Sequence, residues 1–245
     1  MLKNVMLVIE YDGTNYAGWQ RQINANTVQE TLEKAIYKVT GEVINLIGCS
    51  RTDTGVHAKE YVANFRTNSS IPGDRIKYAI NNKLPSDIVV LRSKEVSLDF
   101  HARYSSKGKK YIYTINNRKD NVAINRNYIY HYRYELDVDL MKDAIKHFCG
   151  THDFSAFRNK GSQVTKTVKT IYEINVDRQG EQVIISVNGD GFLYNMVRIM
   201  VGTLIDVGRK RVKPDRIKYI LNSKDRKFAS KTAPASGLCL EKVFY

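Results

Sequence analysis

Thr27-Val28-Gln29-Glu30-Thr31-Leu32-Glu33-Lys34-Ala35-Ile36-Tyr37-Lys38-Val39-Thr40-Gly41 opens the reading of the fold. Thr27 is spaced to accept from the Glu30 amide while the Glu30 carboxylate reaches back, a capping box. Val28, Leu32, Ala35, Ile36 and Val39 recur on one helical face, and Gly41 supplies the stop. Upstream, Val5, Leu7, Ile9 and Tyr11 alternate over 4–11, the period of a strand. Downstream, 43–48 and 60–67 read as two more strands. Ile76, Ala79 and Ile80 mark a second helix, and 87–96 reads as a fourth strand. The order of the first half is therefore β-α-β-β-α-β.

The second half repeats that order without repeating the sequence. A strand is expected over 109–117. Leu140, Ala144, Ile145 and Phe148 stripe a helix that should end at Gly150. Residues 170–176 and 182–188 pair across Asp177-Arg178-Gln179-Gly180. A long helix follows over 192–208, with Val197, Met200, Val201 and Leu204 on its apolar side. Pro214 suits the first turn of a short extra helix, and 238–244 closes as a strand. Two ferredoxin-like halves, 1–105 and 106–245, predict an α+β protein with a largely antiparallel central sheet and helices packed behind it. Many RNA-binding modules share this topology, which by itself proves no function.

Composition narrows the partners. The chain has 245 residues, with Lys+Arg 39 against Asp+Glu 25, a formal charge of +14. Such an excess calls for an acidic partner. Arg103, Lys107, Lys109 and Lys110 stand among Tyr104, Tyr111 and Tyr113 with no acid between them. Arg158, Lys160, Lys166 and Lys169 form a second acid-free stretch. Arg209, Lys210, Arg211, Lys213, Arg216 and Lys218 form a third, broken by Asp215. Each could be plain solvated surface. Together with 16 tyrosines they favour a polyanion with stackable bases. Met1-Leu2-Lys3-Asn4 lacks the apolar core of a signal peptide. The most apolar helix is short and interrupted by Arg198. Cys49, Cys149 and Cys239 make neither a zinc spacing nor a disulfide framework. A cytoplasmic setting without membrane attachment is expected, with no DNA partner.

The chemistry centres on Gly48-Cys49-Ser50-Arg51-Thr52-Asp53-Thr54-Gly55-Val56-His57-Ala58, a polar loop that sets one carboxylate beside one guanidinium. Taken alone, Asp53 could be a turn cap with Arg51 as its surface partner. Asp53-Thr54-Gly55 also matches the aspartic proteases superficially, but those need two carboxylates sharing a proton, and this chain has one such triplet.

A longer pattern resembles the tRNA pseudouridine synthase A family. Arg51-Thr52-Asp53, then Gly55-Val56-His57-Ala58, is similar to that family's catalytic signature. Tyr11-Asp12-Gly13-Thr14-Asn15-Tyr16-Ala17-Gly18-Trp19-Gln20 resembles its N-terminal motif. Phe100-His101-Ala102-Arg103-Tyr104 precedes Lys110-Tyr111-Ile112-Tyr113 as in the family. Further matching blocks are Asp153-Phe154-Ser155-Ala156-Phe157-Arg158, Gly191-Phe192-Leu193-Tyr194-Asn195-Met196-Val197-Arg198 with Val201-Gly202, and Ala233-Pro234-Ala235-Ser236-Gly237-Leu238. Ser50, Thr54 and Cys239 depart from the common Gly, Ala and Tyr.

The resemblance implies an isomerase that turns uridine into pseudouridine in tRNA, at positions 38 to 40 of the anticodon arm. It implies Asp53 as the carboxylate acting on the sugar, by attack or as a base. Tyr111 would stack on the uracil, and Arg198 would pair with Asp53. Arg51 would fill the gap of the flipped base or hold a phosphate, and Leu238 would wall the base. His57, Lys109 and Lys110 would face RNA. A homodimer is implied, and neither cofactor nor metal is expected. A synthase of another RNA such as rRNA, and an idle RNA-binding paralogue, stay open as alternatives.

Overall fold

The computed structural model describes residues 1–159, 161 and 165–245; Lys160 of the second basic stretch lies outside the described residues. The chain forms two compact units, Met1–Lys107 with Cys239–Tyr245, and Gly108–Leu238. Each holds mostly antiparallel strands with helices, the α+β class expected.

In the first unit, β1 (Lys3–Tyr11) pairs antiparallel with β3 (His57–Thr67) and with β4 (Ile88–Val96). The short β2 (Ile47–Gly48) pairs with β3, and so does the closing strand β10 (Leu238–Phe244), in parallel, through Cys239↔His57 and Leu240↔Ala58. Val5, Leu7, Ile9 and Tyr11 of β1 are all at most 2% exposed, as their alternation predicts. Leu32 and Ile36 of α1 (Val28–Thr40) and Ile76 and Ile80 of α2 (Ile76–Asn81) are equally sealed from solvent. The capping box closes on its main side: Thr27 Oγ1 accepts from the Glu30 N–H. Gly41 ends α1 at φ 72, in the left-handed region that glycine tolerates best.

In the second unit the order is β5 (Gly108–Asn116), β9 (Gln182–Gly189), β8 (Val168–Gln179) and β7 (Gly150–Asp153), with the two-residue β6 (Tyr130–His131) on β5. Two helices carry most of its helical core, α3 (Val138–Ile145) and α4 (Met196–Gly208). A further helix, α5 (Arg216–Ser223), follows the turn at Pro214.

The element boundaries differ from expectation in instructive places. The strand expected over 43–48 shrinks to Ile47–Gly48. The third helix stops at Ile145 rather than Gly150, because His147 and Phe148 turn tightly onto the carbonyls of Ala144 and Ile145. The helix expected from 192 starts at Met196, since Asn195 holds φ 59 and the preceding residues form a turn. Strands β6 and β7 are too short to show a period in sequence.

Gly202 lies inside α4, and a Cβ there would overlap the Lys231 carbonyl oxygen. In an open helix Gly→Ala stabilises by about 1 kcal/mol. Here the sign should reverse. Gly202→Ala is expected to cost about 2 kcal/mol by overpacking, seen as a thermal midpoint lowered by roughly 4–8 °C. A raised midpoint would show that the 231 segment yields freely.

Candidate active site

The Asp53 loop is built backbone against backbone. The Trp19 N–H donates to the Thr52 carbonyl (3.2 Å), the Gly55 N–H to the Tyr16 carbonyl (3.3 Å), and the Val56 N–H to the Asp53 carbonyl (3.1 Å). Side chains at 13 and 18 would prevent this. A Cβ on Gly13 would overlap the Val56 carbonyl, and one on Gly18 the Thr52 carbonyl, where φ is also +88. Below the loop the Tyr11 hydroxyl meets Thr52 Oγ1 at 2.9 Å in a buried hydrogen bond. The Tyr61 hydroxyl donates to the Ser50 carbonyl, and its ring stacks on Trp19 at 4.0 Å. Gly48 leaves room for this stack, since its Cβ would strike both side chains.

This frame leaves the sequence-selected residues in different situations. Arg51 is exposed and Asp53 half-buried. His57 is buried at 6% exposure; its Nδ1 accepts from the Gly13 N–H (3.0 Å) and lies 3.1 Å from Asp12 Oδ1. Its imidazole therefore ties the 12–13 turn to β3.

The second unit assembles Tyr111, Arg198 and Leu238 around one connecting segment. Tyr111 is buried in β5, opposite Val187, with Phe192 edge-on at 5.1 Å. Arg198 sits in the first turn of α4; its Nε donates to the Ala233 carbonyl (2.7 Å), and its own carbonyl accepts from the Ala233 N–H (3.1 Å). One residue on, the Pro234 carbonyl accepts from the Tyr113 hydroxyl (2.8 Å). Burial pushes that phenol's pKa strongly upward, and the Arg198 charge opposes the rise. Gly237 lies flat on the Tyr113 ring, where a Cβ would come within 2.6 Å. Leu238 follows, 5% exposed. Lys109 is buried and Lys110 half-buried on β5. Tyr61, Trp19 and Tyr113 escaped the sequence reading as supports, because strand tyrosines look like ordinary core until their hydroxyl partners are seen.

The family model for "tRNA pseudouridine synthase" matches residues 7–105 and 144–245. The chain is 55% identical to tRNA pseudouridine synthase A 2 of Clostridium perfringens, over all of both chains. It is 54% identical to tRNA pseudouridine synthase A of Clostridium acetobutylicum and of Acetivibrio thermocellus, again over all of each chain. The chain belongs to the tRNA pseudouridine synthase family.

The reaction of that family is an isomerisation, so the glycosidic bond broken and the carbon–carbon bond made belong to one nucleoside. The three departures lie in different settings. Thr54 is exposed, and Ser50 is held through its backbone. Cys239 stands opposite His57 in β10, and burial pushes its thiol up to about 12. An ordinary thiol has a pKa of about 8.5. At pH 8.5 Cys239 should therefore stay protonated and resist alkylation; Cys49, at 1% exposure, should resist it by inaccessibility, while exposed Cys149 reacts. Peptide mapping after iodoacetamide treatment of the folded protein checks this; early labelling of Cys239 would contradict it.

Proposed function

We propose that the chain converts uridine to pseudouridine in tRNA, at positions 38 to 40 of the anticodon arm, with Asp53 as the catalytic carboxylate. The observation that carries this reading is the half-buried Asp53, set on a loop whose backbone is pinned on both sides. Full-length identity of 54–55% to proteins named tRNA pseudouridine synthase A supports the substrate.

The reaction breaks C1′–N1, turns the uracil and joins C1′ to C5; the C5 proton leaves and N1 gains one. Asp53 acts on the sugar as nucleophile or base. The target base must first leave its stack, and Arg51, exposed on the same loop, fills the gap or holds a phosphate. Tyr111 stacks on the turning base and its hydroxyl helps remove the C5 proton. Arg198 keeps Asp53 ionised by opposite charge. Leu238 supplies an apolar wall, Lys109 and Lys110 favour phosphates, and His57, buried against the 12–13 turn rather than open to RNA, braces the loop from below. In this scheme 1–105 carries the carboxylate, and 106–245 completes the cleft. The enzyme works as a cytoplasmic homodimer and needs neither metal nor cofactor. Among the described residues no helix is long and apolar enough to cross a membrane.

Tritium release from tRNA labelled at uridine C5 tests the assignment. Asp53→Asn keeps shape and loses charge, so turnover should vanish while RNA affinity changes by less than about tenfold, 1.4 kcal/mol. Tyr111→Phe should slow the reaction about 10²-fold or more with binding preserved. Arg198→Lys, which loses the two-pronged donor, should also be impaired. Pseudouridine formation by a folded, RNA-binding Asp53→Asn protein would remove Asp53 from the mechanism.

A further inference from the structure

At the far end of β5 from Tyr111, the second unit holds a pocket of about 470 Å³ whose lining includes Asn117, Arg118, Lys119, Arg133 and Arg178. Asn117 lies six positions along the chain from Tyr111, roughly 20 Å of extended strand, so this pocket is separate from the residues assigned to chemistry. Most of its lining lies in 106–143, between the two stretches that the family model matches.

The pocket is organised by one amide. Asn117 Nδ2 donates to the carbonyls of Tyr132 (2.9 Å) and Tyr134 (2.7 Å), while its Oδ1 accepts from the Leu136 N–H (3.1 Å) and from Arg178 (3.1 Å). Arg178 also donates to the Leu136 carbonyl (2.8 Å). Next to it, Arg209 donates to the Tyr132 hydroxyl (3.4 Å) and lies 4.1 Å over the ring of Tyr134, which is 51% exposed. Arg133 lies 5.6 Å from the same ring. These guanidiniums are positioned by neutral partners, so their charge is not cancelled. Among the described residues none of Lys119, Arg133, Arg178 and Arg209 pairs with a carboxylate, whereas Arg118 pairs with Glu181 at 3.0 Å. Among the described residues Glu135 is the one acid in the lining.

Fixed but uncompensated guanidiniums beside an exposed tyrosine match a phosphodiester backbone. Arg can hold phosphate oxygens through paired N–H donors, and such contacts position a nucleic acid without reading its sequence. We infer that this pocket is a second RNA-backbone site, which grips a stretch of the tRNA away from the uridine being modified. The inference rests on the reading of tRNA as substrate.

The test uses the double variant Lys119→Glu/Arg133→Glu, whose residues are both exposed. The charge-matched control is Lys38→Glu/Lys83→Glu, exposed and in the first unit. Affinity for an unmodified tRNA transcript is measured by fluorescence anisotropy across a salt series, with pseudouridine formation followed in parallel. The pocket variant should bind at least tenfold more weakly than the control. Its log–log salt slope should flatten by about 1.4–1.8, the loss of two phosphate contacts. The deficit should fall on the RNA concentration needed for half-maximal rate, not on the saturating rate. Arg178→Gln should shift affinity in the same direction and serves if the double variant does not fold. Affinity and slope equal to the control overturn the inference, and that result would also be the signature of a pocket built for an acidic protein. A saturating rate that falls while affinity holds overturns it as well. Wild-type protein that binds tRNA but forms no pseudouridine would instead sink the proposed activity, and the binding comparison would still decide the pocket.

Discussion

The backbone of residues 13–19 lies directly on that of residues 52–56, and the position of the Asp53 loop follows from that contact. Peptide groups can approach this closely only where no Cβ intervenes, which is why Gly13 and Gly18 stand there. At Gly18 any other residue would meet two penalties, an overlap with Thr52 and a left-handed φ worth about 1–2 kcal/mol. The contact also closes the polar accounting of the loop. The carbonyls of Thr52 and Asp53 and the N–H groups of Gly55 and Val56 all find backbone partners. A loop satisfied in this way has little freedom to drift, so the carboxylate it carries is held without being deeply buried.

The second unit reaches the same end by another route. Residues 233–237 run from α4 to β5 as a strap, fastened to Arg198 at Ala233 and to Tyr113 at Pro234. The strap delivers Leu238 into β10, and β10 then pairs with β3 next to His57. A change at Tyr113, which touches no assigned chemistry, would therefore loosen the approach to Leu238.

Much of this was legible in the sequence. The 27–41 helix announced itself through its cap, its stripe and its glycine, and the alternation at Val5, Leu7, Ile9 and Tyr11 gave the buried face of β1. Those signals are local. The pairing of β10 with β3 is not, because two strands some 180 positions apart in the chain leave no periodic trace of their partnership. The roles of Gly13, Tyr61 and Tyr113 were hidden for the same reason, since each depends on which backbone atom of a distant segment lies opposite. The Asp53 loop was picked out by resemblance. Its residue types alone fit a capped turn equally well, and only the geometry adds that the turn is pinned from two sides.

The two kinds of positively charged residue in the chain face different physical demands. A charge near 10 Å from a phosphate is already largely screened at physiological salt, so a cation that grips RNA must touch it and must arrive uncancelled. Arg178 and Arg209 meet that demand by leaning on carbonyls, a hydroxyl and a ring. Lys34 and Lys59, by contrast, lie 3.0 Å from Glu30 and Glu241 and add little to an external field. Formal charge of +14 therefore misstates where attraction resides. At the inferred backbone site it would reside where neutral acceptors hold guanidiniums, because a carboxylate could fix the same geometry only by cancelling the charge.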